Sequence, residues 1–130
     1  MTSTERLTEV FDRGLRVGEQ ALNPTDLALF RIQDFIIEFE MGGLSGYLYN
    51  RLPDLLRIRH MVTAMRQFNL TELADLLDGA AELFAGYADP DPPCTWVEVC
   101  RRYDPSDKIA RLEKRIAALK DFGLSGSTIV

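Results

Sequence analysis

The chain has 130 residues, 46% hydrophobic and 27% charged, which is ordinary for one soluble globular domain. Its formal net charge of -5 argues against a general nucleic-acid binder, which carries a basic surface, and against attachment to anionic lipid. No window approaches the roughly 18 apolar residues that a membrane span needs, and residues 1–6 lack the basic-then-apolar plan of a secretion signal. We therefore expect a cytoplasmic protein.

Helical periodicity runs through most of the chain, and no segment is predicted to be a strand. Thr2 and Glu5 have capping-box spacing, so a first helix is predicted to begin there and to end near Gly18. The residues Asn23-Pro24-Thr25 are typical of a helix start and predict a second helix over about residues 26–41. Because its apolar residues point in nearly every direction, this helix is expected in the centre of a bundle.

A short helical or turn segment is predicted over residues 44–50, before a third long helix. Pro53 suits the first turn of that helix, which runs to about Asn69. The next helix covers about residues 71–86, with Asn69 or Thr71 as its cap. Three prolines in residues 88–93 then require a loop, because proline removes a donor and clashes with the preceding turn.

Two helices are predicted after this loop. One runs through Trp96, Val97 and Val99, and the last opens with Asp104 as N-cap and Pro105 at its first position. A narrow apolar seam on the last helix could close the monomer's own core or pair two chains as a homodimer; it consists of Ile109, Leu112, Ile116 and Leu119. The sequence therefore predicts an all-α, single-domain, compact bundle of about six helices over residues 1–123, with a frayed tail over residues 124–130.

Catalytic chemistry has little support in the sequence. His60 is the only histidine, which excludes a metal site with two imidazoles within one chain. Cys94 and Cys100 would lie roughly 9 Å apart along a shared helix, too far for a disulfide, and are interpreted as reduced thiols. We predict no catalytic residue, no metal site and no cofactor. The alternative is an enzyme that uses Cys94, Cys100 or His60, and an unperturbed thiol pKa of about 8.5 for each cysteine would argue against it.

The segment EFEMGGLSGYLYN, residues 38–50, resembles a phosphate-binding loop only superficially. Such a loop needs its glycines after a strand and before a helix, usually with Lys-Ser or Lys-Thr following. Here the glycines follow a helix, and the carboxylates of Glu38 and Glu40 would repel phosphate. Gly42 and Gly43 are therefore predicted to form a corner between helices.

Charge is unevenly distributed along the chain. Residues 71–91 carry six acidic side chains and no basic one; the six are Glu72, Asp75, Asp78, Glu82, Asp89 and Asp91. At 100° per residue the first four fall within an arc of about 120° and extend over about 15 Å. A DNA strand presents one phosphate per roughly 3.4 Å, so the density of negative charge is similar. The structural alternative is that these carboxylates form only the polar, solvent-exposed face that any amphipathic helix must have, which in an acidic protein is acidic.

The sequence allows two arrangements of this charge. Residues 51–70 hold four arginines against one aspartate. If this arginine-bearing helix packs beside the acidic helix, much of the acidic field cancels at close range. If the two helices face apart, the protein offers an acidic surface to a basic partner.

Residues 35–84 resemble the bacterial DNA-mimic protein family, in which a helix ends in Glu-x-Asn-Asn-Gly-Gly and an aromatic residue, a Gln-aromatic pair and an Asn follow. The positions that fit this plan are Glu38, Gly42, Gly43, Tyr47 and Asn50. The departures are Glu40 and Met41 in place of the asparagines, Leu44 at the first aromatic position and Gly46 at the usual glutamine. The resemblance implies an all-α fold, no enzymatic activity and no cofactor.

For the family's namesake, the resemblance implies an acidic, dimeric surface that occupies the DNA site of a transcription regulator. Together with the acidic arc, it predicts a non-enzymatic protein whose six carboxylates contact a basic protein partner, without direct binding to nucleic acid or membrane. The alternative is an immunity or antitoxin protein that covers the active site of a basic toxin such as a nuclease, and a neighbouring toxin gene would distinguish it.

Overall fold

Six α-helices, two 3-10 segments and the connections between them make up residues 1–129, the part of the chain that the computed structural model describes. The α-helices are α1 Ser3–Val17, α2 Pro24–Arg51, α3 Leu55–Gln67, α4 Thr71–Leu83, α5 Trp96–Tyr103 and α6 Lys108–Ala118. The 3-10 segments are Glu19–Ala21 and Lys120–Gly126. Since these residues contain no strand, the predicted all-α fold of about six helices is confirmed. None of the described helices is both long and apolar enough to cross a lipid bilayer.

The first two helices begin close to the predicted signals. Thr2 Oγ1 accepts the N–H of Glu5 at 3.1 Å, and α1 ends at Gly18, whose φ of 93° favours glycine. The Asn23 side chain accepts the N–H of Asp26 at 2.8 Å, with Pro24 in the first turn. Because Asn23 is the N-cap, α2 starts at Pro24, slightly before the start predicted near residue 26.

Helix α2 folds back on itself at Gly43, which has φ 68° and ψ -170°. Phe35 and Tyr47 would be about 18 Å apart in a straight helix. Their ring centroids are only 4.8 Å apart, so the helix consists of a first arm, residues 24–42, and a second arm, residues 44–51. The predicted turn segment over residues 44–50 is this second arm, and the glycines lie at the corner between the arms.

The caps of α3 and α4 differ from the prediction. The Asp54 side chain accepts the N–H of Arg57 at 3.2 Å, so Asp54 caps α3 and Pro53 lies outside it. Leu70 occupies the N-cap position of α4 without a side-chain cap, so neither Asn69 nor Thr71 has the predicted role. Asn69 instead turns the chain with φ 60°, a left-handed conformation that asparagine tolerates.

Helix α6 starts at Lys108, not at Pro105 as predicted. The Asp104 side chain nevertheless acts as its cap from outside the helix. Its two carboxylate oxygens accept the N–H groups of Lys108 at 2.7 Å and Ile109 at 2.9 Å. Asp104 is only 7% exposed, so it satisfies two backbone donors that would otherwise be buried without partners.

The core is one cluster of buried side chains that extends from Leu7 to Ile129. Both arms of α2, with α3 and α4, supply most of it. The seam of α6 packs on α2 and α4: Ile109 and Ile116 are buried, and Leu112 and Leu119 are partly buried against the core. The seam therefore closes the monomer's own core, while the homodimer stays a prediction.

The predicted frayed tail is wrong for residues 124–129. Leu124 and Ile129 are buried in the core. Thr128 donates its N–H to the carbonyl of Phe68 at 2.9 Å, and the Ser3 hydroxyl donates to the carbonyl of Ile129 at 2.9 Å. These apolar and hydrogen-bonded contacts tie the tail to α1 and to the end of α3. Val130 lies outside the described residues.

Candidate functional site

The acidic arc of α4 lies on its outer face. Glu72, Asp75 and Glu82 are exposed and Asp78 is partly exposed. The opposite face buries Leu73, Leu76 and Leu77, among others, in the core. The helical periodicity of the sequence therefore placed these four carboxylates correctly on one side of α4.

Two arginines of α3 form ion pairs with this carboxylate row. Arg66 contacts Asp75 at 2.8 Å and Asp78 at 4.0 Å. Arg59 contacts Glu82 at 3.3 Å and Asp78 at 3.7 Å. Of the two arrangements that the sequence left open, the structure has the one in which the arginine-bearing helix packs beside the acidic helix. Among residues 1–129, Glu72 has no ion-pair partner.

These ion pairs are weak because all the side chains involved are between 38% and 62% exposed. Exposed pairs contribute about 0–1 kcal/mol each. Water competes for every charge in the row, so an incoming cation can replace an arginine at little cost. The row is thus an acidic surface with internal counterions, carrying four carboxylates against two guanidinium groups.

Asp89 and Asp91 lie away from this row, on the loop between α4 and α5. Both are exposed, and neither forms an ion pair within the described part of the chain. Asp89 lines an open cavity of about 580 Å³ together with Tyr49 and Trp96. The structure therefore brings the four helix carboxylates together on one face and leaves the two loop carboxylates on a separate segment.

The corner residues join the two arms of α2. Glu38 accepts a hydrogen bond from the Asn50 side chain at 3.2 Å and pairs with Arg51, which also contacts Asp34 at 2.6 Å. Burial raises the pKa of Glu38, and this outweighs the opposing effect of the Arg51 charge. Because these residues come from opposite arms, their bonds hold the arms antiparallel.

Tyr47 is the apolar part of the same joint. It is fully buried with its ring edge against Phe35, and the Arg51 guanidinium lies 5.2 Å from the ring centroid. Burial also raises the pKa of its hydroxyl, which has no hydrogen-bond partner among the described residues. Tyr47 therefore has a packing role at the corner and is not available at a surface.

Gly43 lets α6 approach the corner, which the sequence did not predict. Glu113 of α6 accepts the N–H of Leu44 at 2.7 Å, which caps the second arm. A Cβ added to Gly43 would lie 2.8 Å from the Glu113 carboxyl carbon, whereas one added to Gly42 would meet nothing. In the sequence, the only sign of this contact is a carboxylate, Glu113, beside the apolar seam of α6. Its partner Leu44 is 69 residues away, so no local spacing connects the two.

The residues considered for catalysis lie on different elements: His60 on α3, Cys94 on the loop before α5, and Cys100 on α5. His60 is exposed on α3, and Cys94 and Cys100 are partly exposed thiols without a disulfide. Among residues 1–129, no group of three or more His, Cys, Asp or Glu side chains could hold a metal ion. Burial, followed by the negative charges of Asp104 and Asp107, raises the pKa of Cys100. That thiol is consequently protonated and a poor nucleophile at neutral pH.

Alkylation kinetics test this effect on Cys100. In a Cys94→Ser variant, the rate of reaction with iodoacetamide should rise with pH, because only the thiolate reacts, with a midpoint above the ordinary thiol value of about 8.5. In urea the midpoint should return to about 8.5, since unfolding removes burial and the neighbouring carboxylates. A folded-state midpoint at or below the unfolded one would contradict the expected direction.

The fold and this surface define a class: an all-helical protein with carboxylates along one outer helix face. The chain belongs to the family of DMP19-like proteins, whose sequence model matches residues 20–124. This match confirms the resemblance to the DNA-mimic proteins. The match includes α2 with its corner and continues through α6. Comparisons with curated proteins and with solved structures give no match.

Proposed function

We propose that this protein is a non-enzymatic DNA mimic that occupies the DNA-contacting surface of a basic, cytoplasmic protein partner. The observation that carries the proposal is the carboxylate row of α4: Glu72, Asp75, Asp78 and Glu82. The row extends over about 15 Å of helix, in which a DNA strand presents four or five phosphates. Membership of the DMP19-like family supports mimicry over other uses of an acidic face.

Arg59 and Arg66 act in this proposal as exchangeable counterions. They balance the row in the free protein through exposed pairs that are worth about 0–1 kcal/mol each. A partner whose arginines or lysines are fixed in place displaces them, and the released guanidinium groups return to water. Asp89 and Asp91 extend the contact if the partner reaches past the end of α4.

Substitutions of these arginines and carboxylates should change binding in opposite directions. Arg59→Gln/Arg66→Gln should tighten binding by roughly three- to tenfold, because the partner no longer competes with internal cations. Lysine at positions 72, 75, 78 and 82 should abolish binding. A matched pair compares Asp75→Lys/Glu82→Lys, expected to weaken binding, with Asp12→Lys/Glu19→Lys, which changes exposed acids elsewhere and should have little effect.

The measurement uses proteins eluted from DNA-cellulose and passed over the immobilised protein. A retained protein counts as a partner only if duplex DNA displaces it, and its affinity is then measured for each variant. Retention of the same proteins by the wild type and the four-lysine variant would sink the proposal. If the retained protein is a nuclease whose activity is blocked, the immunity or antitoxin function replaces the regulator-directed one.

A further inference from the structure

An open cavity lies between the second arm of α2, the loop that joins α4 to α5, and the start of α5. Its volume of about 580 Å³ is within the range of roughly 300–1,000 Å³ that is typical of ligand pockets. Three aromatic side chains line it: Tyr49 from α2, Tyr87 from the loop and Trp96 from α5. Three separate parts of the chain therefore form one aromatic cavity.

The centre of this aromatic cavity is held in place by packing. Trp96 stacks on the buried Phe84 with the two ring planes 12° apart, and its indole donates to the Ser45 hydroxyl at 2.7 Å. Tyr49 meets Trp96 at 5.7 Å with the ring planes 74° apart. Tyr87 also contacts Phe84, at 6.0 Å between ring centroids. Binding of a ligand therefore does not carry the cost of ordering the Trp96 ring.

The charge on the lining of the aromatic cavity is negative. Asp89 supplies its carboxylate, and no lysine, arginine or histidine lines it within the described part of the chain. Burial raises the pKa of the Tyr87 hydroxyl, and the nearby negative charge of Asp89 adds to this effect. The Asn50 amide donates to Glu38 at 3.2 Å, which leaves the Asn50 carbonyl oxygen as a further acceptor. The lining thus combines aromatic rings with hydrogen-bond acceptors and a carboxylate.

An arginine side chain matches each of these features. Its guanidinium group stacks on aromatic rings, holds its water less tightly than an ammonium group, and can donate two parallel hydrogen bonds to one carboxylate. An anion would be repelled by Asp89, and a neutral ligand would leave this carboxylate without a partner. Charge complementarity and the aromatic lining therefore select the same occupant.

We propose that the aromatic cavity binds one arginine side chain of a partner protein, with the guanidinium group between Asp89 and the rings of Tyr49 and Trp96. For the source of this arginine the proposal rests on the proposed function, because a DNA-contacting surface is basic. Asp89 follows Glu82, the last carboxylate of the α4 row, by seven residues. Their backbones are therefore no more than about 25 Å apart, a distance that one protein surface can span.

Trp96 provides a direct readout because it is the only tryptophan in the chain. The probe is the blocked peptide Gly-Gly-Arg-Gly-Gly, and its control has citrulline, which keeps the shape of arginine without the charge. The arginine peptide should change Trp96 emission and saturate at roughly millimolar concentration, as expected for a single side chain. The citrulline peptide should bind at least tenfold more weakly. Equal binding of the two peptides would overturn the proposal.

Matched substitutions in one loop locate the site. Asp89→Lys should weaken binding of the arginine peptide by more than tenfold, because the new ammonium group repels the guanidinium. Asp91→Lys makes the same change at an exposed acid outside the cavity and should stay within about threefold of wild type. Tyr49→Leu keeps an apolar side chain without the aromatic ring and should weaken binding by about two- to fivefold. Equal losses from the two lysine substitutions would overturn the site.

Three features of the design keep the outcomes separate. All the substituted positions are exposed, and thermal melts check that each variant stays folded. Tetramethylammonium, which cannot donate a hydrogen bond to Asp89, should bind more weakly than the arginine peptide. Tighter binding would replace the partner's side chain by a small quaternary ammonium ion and overturn the proposal. The titrations use no partner protein, so their failure leaves DNA mimicry untouched, whereas a failure of the α4 row to retain partners leaves peptide binding at the aromatic cavity intact.

Discussion

Replacing Gly43 by alanine should lower the free energy of unfolding by about 3 kcal/mol, whereas the same change at Gly42 should not. Gly43 has φ 68° and ψ -170°, a conformation that is essentially reserved for glycine and costs other residues about 1–3 kcal/mol. The added methyl group would also displace the Glu113 carboxylate, which caps the second arm of α2. Loss of such a cap costs about 1 kcal/mol.

Urea denaturation of Gly43→Ala and Gly42→Ala measures this difference. Gly42 is exposed, has an unrestricted Cβ position and lies at the end of a helical arm, so alanine there should be neutral or stabilising by up to about 1 kcal/mol. In a Glu113→Ala background the added methyl group no longer meets a carboxylate. The loss of unfolding free energy caused by Gly43→Ala should then fall to the cost of the backbone conformation alone. A Gly43→Ala variant as stable as Gly42→Ala and the wild type would show that the corner tolerates a side chain at either position.

Local signals explain why most helices could be predicted from the sequence. Thr2 bonds to the N–H of Glu5, and Asn23 bonds to the N–H of Asp26, each three residues along the chain. Such bonds need only the right residue at the right spacing. The outward position of the α4 carboxylates follows equally from the helical period, without knowledge of any other helix.

The predictions that were wrong have two causes. Some depend on contacts between residues that are distant in sequence, and others on a turn of the backbone before a helix begins. Asp104 caps α6 from outside, because residues 105–107 turn before the helix starts at Lys108. The tail was predicted to fray from its glycine and serine content, yet Leu124 and Ile129 find a hydrophobic pocket between distant elements. Composition favours flexibility, and burial in a shared core overrides that preference.

The candidate site was predictable in position but not in its electrostatics. Pairing of Arg59 with Glu82 and of Arg66 with Asp75 depends on how α3 lies against α4, and no residue spacing within one helix determines that register. The contact of Glu113 with the corner depends in the same way on the packing of α6. A row of carboxylates can therefore be read from sequence, while its counterions require the structure.

The second large effect is expected at Phe84, which attaches α5 to the core. Phe84 is fully buried and stacks on Trp96 at 5.9 Å and on Tyr103 at 5.6 Å between ring centroids. Helix α5 has eight residues, too few for an isolated helix to be stable in water. Its position therefore depends on these aromatic contacts and on the bond between Trp96 and Ser45.

Phe84→Ala should lower the free energy of unfolding by about 3–5 kcal/mol, because it removes a large buried side chain and leaves a cavity under α5. Trp96 emission should shift to longer wavelength, as the indole loses its stacked neighbour and meets water. Tyr49→Ala is the control: Tyr49 also contacts Trp96, at 5.7 Å, but it is 61% exposed and should cost only about 0.5–1 kcal/mol.

The emission of Trp96 distinguishes a local from a general loss of stability. If Phe84→Ala destabilises the protein while Trp96 emission in the folded state is unchanged, α5 is held by contacts other than this aromatic stack. If the emission shifts, the stack on Phe84 is what keeps the Trp96 indole away from water. The loss of stability would then include a local loosening of α5 around this single side chain.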